Sequence, residues 1–460
     1  MKKDSLRFVV LGDTHFCTRE IRGKYLEKKA LFELPDHVRY AEMTESVLKP
    51  LLSKIKMLKP DFVISTGDFV EGGMPDHTKT RREMKEAWAL MKTMGCPLLV
   101  AKGTHEEPAA YRQTVLPEME GFLGEKLDRG YFVFERKGCA FLILDYLDYI
   151  PGNEQDVWLE KELIRLAGTS SRIFIAAHPP LYNWGRHFFN EPAFINRMIF
   201  LCKKYSADAY FCGHTHNQTL SFHQTEKGKG FLQVMSSSVG YPDMDTRGLA
   251  EFHALAEFTS KDHFLWGLHE DSSPGFYLVE VNGDSMSLEW QSLKTDKVSL
   301  YIKKRHARPE RIKKTAYRKY ETKIAPLDMF QIKSAVLYVY GSYANEGSEL
   351  FFNGVSLGRL PLNSAYAARR FAILGHDALK TLSRENKITI MLPGKGDFVI
   401  GSISLELLLL DDRIIHSEVS PELFVRGGFW KDFPQPRKVF DCKNKKEVSV
   451  SINIGICLHP

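Results

Sequence analysis

Residues 6–15 read L-R-F-V-V-L-G-D-T-H: an apolar, β-branched run stops at a glycine, and an Asp and a His follow two residues apart. A run with no polar alternation describes a strand covered on both faces, as in the sheet of an α/β domain. The same grammar recurs downstream. Phe62–Thr66 runs into Gly67-Asp68, and Leu98–Lys102 into Gly103-Thr104-His105-Glu106. Arg172–Ala177 runs into His178-Pro179-Pro180, and Ala209–Cys212 into Gly213-His214-Thr215-His216. Phe132–Glu135 and Ala140–Asp145 complete the strands. Helical patterns lie between them: Tyr40–Leu58, with Met43, Val47, Leu51, Ile55 and Leu58 on one face, then Arg81–Met94 and Asp156–Ala167. Strands alternating with helices in this way predict an α/β domain.

Five of these strands deliver Asp or His at their carboxyl ends, the edge where open α/β sheets bind ligands. A lone Asp at such a place caps a turn or helix, and a lone His is most often a packed, hydrogen-bonded residue. The ordered set points to chemistry instead. Asp and His with no Cys suit a hard-to-borderline divalent metal such as Mn, Fe or Zn. D-x-H and H-x-H put two ligands on one side of an extended segment. Seven ligand-grade side chains exceed the needs of one ion, so two ions sharing a carboxylate is the natural reading. Such a pair can clamp a phosphate and hold a hydroxide for in-line attack.

The set resembles the calcineurin-like metallophosphoesterase superfamily, whose ordered motif is D-x-H, G-D, G-N-H-D/E, H and G-H-x-H. All five blocks occur here, and the resemblance covers roughly residues 5–290. It implies an α/β/β/α sandwich. It also implies that Asp13, His15 and His216 bind one divalent ion, that His178 and His214 bind a second, and that Asp68 bridges both. By the same resemblance His105 contacts the phosphate and stabilises the transition state or protonates the leaving oxygen. The departure is Thr104, where the family has an Asn whose carbonyl oxygen ligates the second ion; a Thr hydroxyl sits on a shorter arm. Phe69 follows the G-D block, where the purple acid phosphatase branch requires a nearby Tyr ligand, so that branch is not favoured. Arg186 and Asn217 are candidate substrate contacts, with Tyr182, Trp184 and His187 as further lining of the loop after His178.

The chain has 460 residues, 43% of them hydrophobic and 26% charged, which excludes a disordered chain and suggests two to four domains. No apolar run reaches the roughly 18 residues of a membrane span. Seven scattered Cys (17, 96, 139, 202, 212, 442, 457) with no C-x-x-C read as reduced thiols, and hence as a cytoplasmic protein. The net charge of +6 is uneven: Lys294–Lys323 carries an excess of nine positive charges, leaving the remainder at −3. This predicts a catalytic domain over 1–293, closed by a hairpin of Phe276–Val281 and Met286–Trp290, and a basic linker over 294–329. Tyr241–Pro274 reads as an insertion with a helix near Leu249–Phe258. Beyond it the pattern is all-β, with Ala335–Tyr340, Glu349–Phe352, Val355–Leu360, Lys387–Leu392 and Phe398–Leu410 as strands and Asn353-Gly354 as a hairpin turn. A second, all-β sandwich over 330–440 and a tail over 441–460 follow. The segment S-E-L-F-F-N-G-V-S-L-G-R-L looks like galactose-binding-like jelly rolls, which implies a carbohydrate partner or a purely structural module.

The expected function is hydrolysis of a small-molecule phosphate ester, a diester before a monoester, with two divalent ions and without nucleic-acid or membrane partners. Two alternatives stand beside it. One is a catalytically weakened scaffold with the same fold, suggested by Thr104. The other is a nucleic-acid phosphodiesterase using the basic run for backbone contacts.

Overall fold

A computed structural model describes residues 5–22, 36–74, 76–181, 192–216, 218–225, 230–239, 263–271, 274–293, 298–305, 310–314, 317–318, 320–321, 327–328, 331–342, 348–359, 367–372, 376–392, 394, 396–410, 414–417, 420, 422–427, 438–453 and 458–459. The expected helix Leu249–Phe258 lies outside them.

Two sheets form the first region. One contains β1 (Ser5–Leu11), β2 (Phe62–Ser65) and β3 (Leu98–Val100). The other contains β4 (Phe132–Arg136), β5 (Cys139–Ile143), β6 (Arg172–Ala176), β7 (Ala209–Cys212), β8 (Gln218–Thr225), β9 (Gly230–Met235) and β10 (His263–Asp271). The chain then returns to the first sheet through the hairpin β11 (Gly275–Asn282) and β12 (Ser285–Ser292). β1, β2 and β3 run parallel, as do β5, β6, β7 and β9, so their carboxyl ends share one edge.

Aromatic side chains join the two sheets. Phe8 of β1 stacks on Phe62 of β2 at 5.3 Å and meets Phe141, Phe174 and Phe211 of the opposite sheet edge-on at 5.2–5.7 Å. All five are buried. Offset and edge-on pairs add to the area term, so this row fixes the distance between the sheets. Phe8→Ala is expected to cost about 3–5 kcal/mol in denaturant unfolding, the range for truncating a core aromatic. A loss below about 1 kcal/mol shows that the sheets do not depend on it.

The expected helix Tyr40–Leu58 forms as Asp36–Met43, a π turn over Thr44–Leu48, and Lys49–Leu58. Pro50 has no N–H to close the bond four residues back, so the ladder cannot be regular there.

The segment expected as a linker supplies strands instead. Val298–Ile302 pairs with β12 and Glu310–Lys314 pairs with Val298–Ile302, extending the first sheet, while Tyr317–Arg318 pairs with β10. Arg305 reaches Asp208 at 3.1 Å. The charge run hid an alternating strand, V-S-L-Y-I, whose Leu300 and Ile302 are buried. Further along, a four-stranded sheet of Val355–Arg359, Glu349–Phe352, Glu385–Met391 and Glu447–Asn453 shares an apolar core with a sheet built on Ile332–Ser342 and Phe398–Leu409. Glu447–Asn453 comes from the segment expected as a tail; it buries Val448, Val450 and Ile452 at period two. The turn Asn353-Gly354 has positive φ at both residues, as expected.

Candidate metal centre

The loops after β1, β2, β3, β6 and β7 converge. Backbone bonds tie them together: Asp13 N–H to Gly67 O (3.0 Å), His15 N–H to Asp68 O (2.9 Å) and Gly213 N–H to His178 O (2.9 Å). The approach needs glycine at two points. A Cβ on Gly12 would lie 2.2 Å from Ser236 O, and one on Gly67, whose φ is +103°, would lie 2.8 Å from Gly103 Cα. Asp13, His15, Asp68, His214 and His216 all adopt positive φ, between 40° and 78°. Each such residue costs on the order of 1–3 kcal/mol, so five at one spot mark a place where surrounding bonds enforce geometry.

Among the described residues the side chains form three clusters, two of which share Asp68. Asp13, His15, Asp68 and His216 bring one donor atom each within 4.8 Å of one another, and so do Asp68, His178 and His214. His15 Nε2 faces His216 Nε2 at 3.2 Å. His214 Nδ1 faces His178 Nε2 at 3.0 Å, and Asp68 Oδ2 lies 3.1 Å from His178 Nε2 and 3.8 Å from His15 Nε2. The other Asp68 oxygen, Oδ1, accepts from the backbone N–H of Thr104 (2.7 Å) and of His105 (3.0 Å). His105 is partly open, as is His214: the His105 Nδ1 sits 2.6 Å from Glu71 O, so Nδ1–H donates there and Nε2 faces the centre, 3.9 Å from Asp68 Oδ2. The Thr104 hydroxyl lies on the Asp68 carboxylate, 3.2 Å from Oδ1 and 3.4 Å from Oδ2. Arg186 and Asn217, with Tyr182, Trp184 and His187, lie outside the described residues.

Hydrogen bonding fixes the tautomers. His15 Nδ1 is 2.8 Å from Glu71 Oε2, and a carboxylate only accepts, so His15 carries a proton on Nδ1, which leaves Nε2 as the nitrogen able to ligate a metal. His178 Nδ1 likewise donates to Thr66 O at 2.9 Å. Burial opposes ionisation of Asp68, but the His178, His105 and His15 rings hold it well below the usual carboxylate range. Burial raises Asp13, partly offset by His178. Burial disfavours a charged His178, yet Asp68 pushes it up to about 9. Converging imidazole nitrogens over buried carboxylates, with no Lys or Arg among them, fit divalent cations that accept both N and O donors. Nitrogens 3.2 Å apart match two imidazoles on one ion with bonds of about 2.0–2.1 Å.

Four supporting residues escaped the sequence reading. Glu71 orients His15 through its carboxylate and His105 through its carbonyl. Glu106 is buried and accepts from Phe69 N–H and Gly103 N–H, tying the loops after β2 and β3. Ser237 Oγ donates to Asp13 Oδ2, and Tyr40 meets His216. Two carried a signal: Glu106 as the last residue of the Gly103-Thr104-His105-Glu106 block, and Glu71 as a carboxylate three residues after Asp68. A cavity of about 350 Å³ lies at the root of the His105 loop, reached by Lys102 and Arg112, and contains none of the cluster residues.

Residues 6–218 match the calcineurin-like phosphoesterase family. The chain is 26% identical over 197 residues to the glycerophosphodiester phosphodiesterase GpdQ of Enterobacter lignolyticus (strain SCF1), covering 41% of this chain and 67% of that one. It resembles purple acid phosphatase PPD1 of yellow lupin at 14% identity and a TM-score of 0.45, covering 65% of this chain and 54% of that one, so it spans about half the lupin protein's length. A dimetal phosphatase from Danio rerio gives 12% identity and a TM-score of 0.44, over 64% and 98% of the respective chains. Among the described residues no helix is long and apolar enough to cross a membrane. Calcineurin-like phosphoesterases use a dinuclear divalent metal site, and the buried Asp/His centre fits one. The strand-end motifs, their convergence and the match over residues 6–218 together identify a calcineurin-like phosphoesterase domain in this chain.

Proposed function

We propose that this chain hydrolyses phosphodiesters, with phosphomonoesters as poorer substrates, and that Asp13, His15, Asp68 and His216 hold one divalent ion while Asp68, His178 and His214 hold the other. The observation that carries this is the membership of Asp68 in both clusters. Two bound divalent ions supply Lewis-acid polarisation of phosphoryl oxygens and acidify water. The protein contributes the rest. Glu71 fixes His15 and His105 with Nε2 toward the centre. His105, 35% exposed at its side chain, is the histidine a phosphate meets first; as an imidazolium, with Nδ1–H held by Glu71 O, its Nε2–H donates to a phosphoryl oxygen or passes that proton to the leaving oxygen. The preference for diesters is supported by the likeness to a protein named a phosphodiesterase. Turnover of bis(p-nitrophenyl) phosphate against p-nitrophenyl phosphate, with Mn, Fe, Zn and Mg, tests it. Faster diester cleavage is expected, and no hydrolysis with any of the four metals overturns the reading.

Thr104 favours one rival, a weakened scaffold, because its hydroxyl is engaged with Asp68. Thr104→Asn brings an amide oxygen to the second ion and is expected to lower the metal concentration for half-maximal activity about tenfold. Two equally tight ions in the wild type, unchanged in Thr104→Asn, mean that another group already completes the site. The nucleic-acid rival has less support, since part of the basic run pairs as strands. A carbohydrate role for the second β-rich region also lacks support at its hairpin. Asn353 Nδ2 donates to Thr381 O and Asn386 Oδ1, and Asn353 Oδ1 accepts from Lys387 N–H, which makes this side chain a structural clasp.

A further inference from the structure

Tyr40 touches both histidines of the Asp13 cluster. Its ring stacks on His15 with centroids 4.4 Å apart and planes 12° from parallel. Its phenolic oxygen lies 2.8 Å from His216 Nδ1. The side chain is 2% exposed. It reaches in from the helix Asp36–Met43, which belongs to none of the strand-end motifs. Its backbone is held as well: Thr44 Oγ1 donates to Tyr40 O at 3.0 Å and accepts from Cys17 N–H at 3.4 Å, two residues beyond His15. Thr44 also opens the π turn, a feature that recurs at functional sites.

We propose that Tyr40 is a positioning residue for the Asp13–His15–His216 half of the metal centre, accepting a hydrogen bond from His216 Nδ1–H while its ring fixes the plane of His15. This rests on the reading of that half as an ion site. The argument is one of tautomers. A neutral imidazole places its proton on one nitrogen, and the partner of the other decides which nitrogen can bind a metal. His216 Nε2 faces His15 Nε2 at 3.2 Å. With the His216 proton on Nε2, that hydrogen points at His15 and fills the place of a cation. With the proton on Nδ1, the phenol oxygen accepts it and both Nε2 lone pairs face the ion. Glu71 imposes this state on His15 with a carboxylate, and Tyr40 is its counterpart for His216. A phenol both donates and accepts, so it tolerates either tautomer in the metal-free protein, and metal binding selects one. Outer partners of this kind typically change metal affinity by 10- to 100-fold.

The test is a Mn²⁺ titration of the full chain, followed by electron paramagnetic resonance, for the wild type, Tyr40→Phe, Tyr40→Leu and Asp68→Asn. Tyr40→Phe keeps the stacked ring and removes only the oxygen. It is expected to weaken one of the two ions about 10- to 100-fold and leave the other unchanged. Tyr40→Leu should weaken the same ion further. In the zinc-loaded wild type, ¹⁵N NMR should show a slowly exchanging His216 Nδ1–H that is lost in Tyr40→Phe. In a His216→Ala background, Tyr40→Phe should have no further effect on Mn²⁺ affinity, because Tyr40 acts through that ring. Unchanged affinity of both ions in Tyr40→Phe overturns the proposal while leaving the metal centre standing. A wild type that binds Mn²⁺ no better than Asp68→Asn overturns the metal reading, and this proposal with it.

Discussion

Replacing Asp68 with Asn is expected to abolish turnover, by on the order of 10³-fold or more, and to empty both halves of the centre. The two oxygens of this carboxylate have separate duties. Oδ1 is held by the Thr104 and His105 amides, and Oδ2 faces His178 and His15. Asn can reproduce the first duty, since its carbonyl oxygen accepts the same two N–H groups. Its NH₂ would then point at His178 Nε2, putting a donor where a ligand belongs. The substitution also removes an anionic charge shared by both clusters, leaving the second with two imidazoles and no carboxylate. The backbone around Asp68 should persist, because the bonds from Asp13 and His15 to Gly67 and Asp68 are made by main-chain groups. Circular dichroism should therefore match the wild type, while metal content measured by inductively coupled plasma mass spectrometry falls. Retained turnover with near-normal metal content would refute the assignment of Asp68 as the shared ligand.

What the sequence made legible follows from what each element needs. β2, β6 and β7 are buried along their length and β1 is buried from Phe8 onward, so apolar residues dominate these strands, and the Asp and His residues that follow stand out at one sheet edge. Asp13, His15, Asp68, His105, His178, His214 and His216 were readable for that reason, and the strand ends bring them together. Tyr40 was not readable: on a helix face, a Tyr that orients a histidine has the same spacing as one that fills a core. Ser237 lies between two other buried serines, and nothing local tells which of them meets Asp13. Glu106 closes the Gly103-Thr104-His105-Glu106 block, but its task of joining two loops depends on Phe69, thirty-seven residues away. Val298–Ile302 and Glu447–Asn453 failed for another reason. Each shows the period-two pattern, but the first lies within a dense run of Lys and Arg and the second near the chain end, so charge and position outweighed alternation in the reading.

His105→Ala is expected to reduce turnover about 10²-fold or more while leaving metal content close to the wild type. The geometry separates His105 from His178 in two respects. Its Nε2 stands 3.9 Å from Asp68 Oδ2, beyond hydrogen-bond reach, whereas His178 Nε2 stands at 3.1 Å. Its side chain is 35% exposed, whereas those of His15 and His178 are at 1% or less. A ring held at Nδ1 by the Glu71 carbonyl, with Nε2 open toward solvent, is placed to meet an incoming phosphate. The truncation removes that contact without disturbing Asp68, because the bond from residue 105 to Oδ1 comes from the backbone N–H, which Ala retains. The alternative is also present in the structure. His105, His15 and Glu71 form a third group whose donor atoms lie within 4.8 Å of one another. If His105 ligates an ion in that group, His105→Ala loses metal together with activity, and added metal restores part of the rate. If His105 instead acts on the phosphate, metal content holds and no concentration of metal restores turnover. A leaving group that needs no proton, such as p-nitrophenolate, should then lose less activity in His105→Ala than an alkyl alcohol does, since only the alkoxide requires the proton that Nε2 delivers.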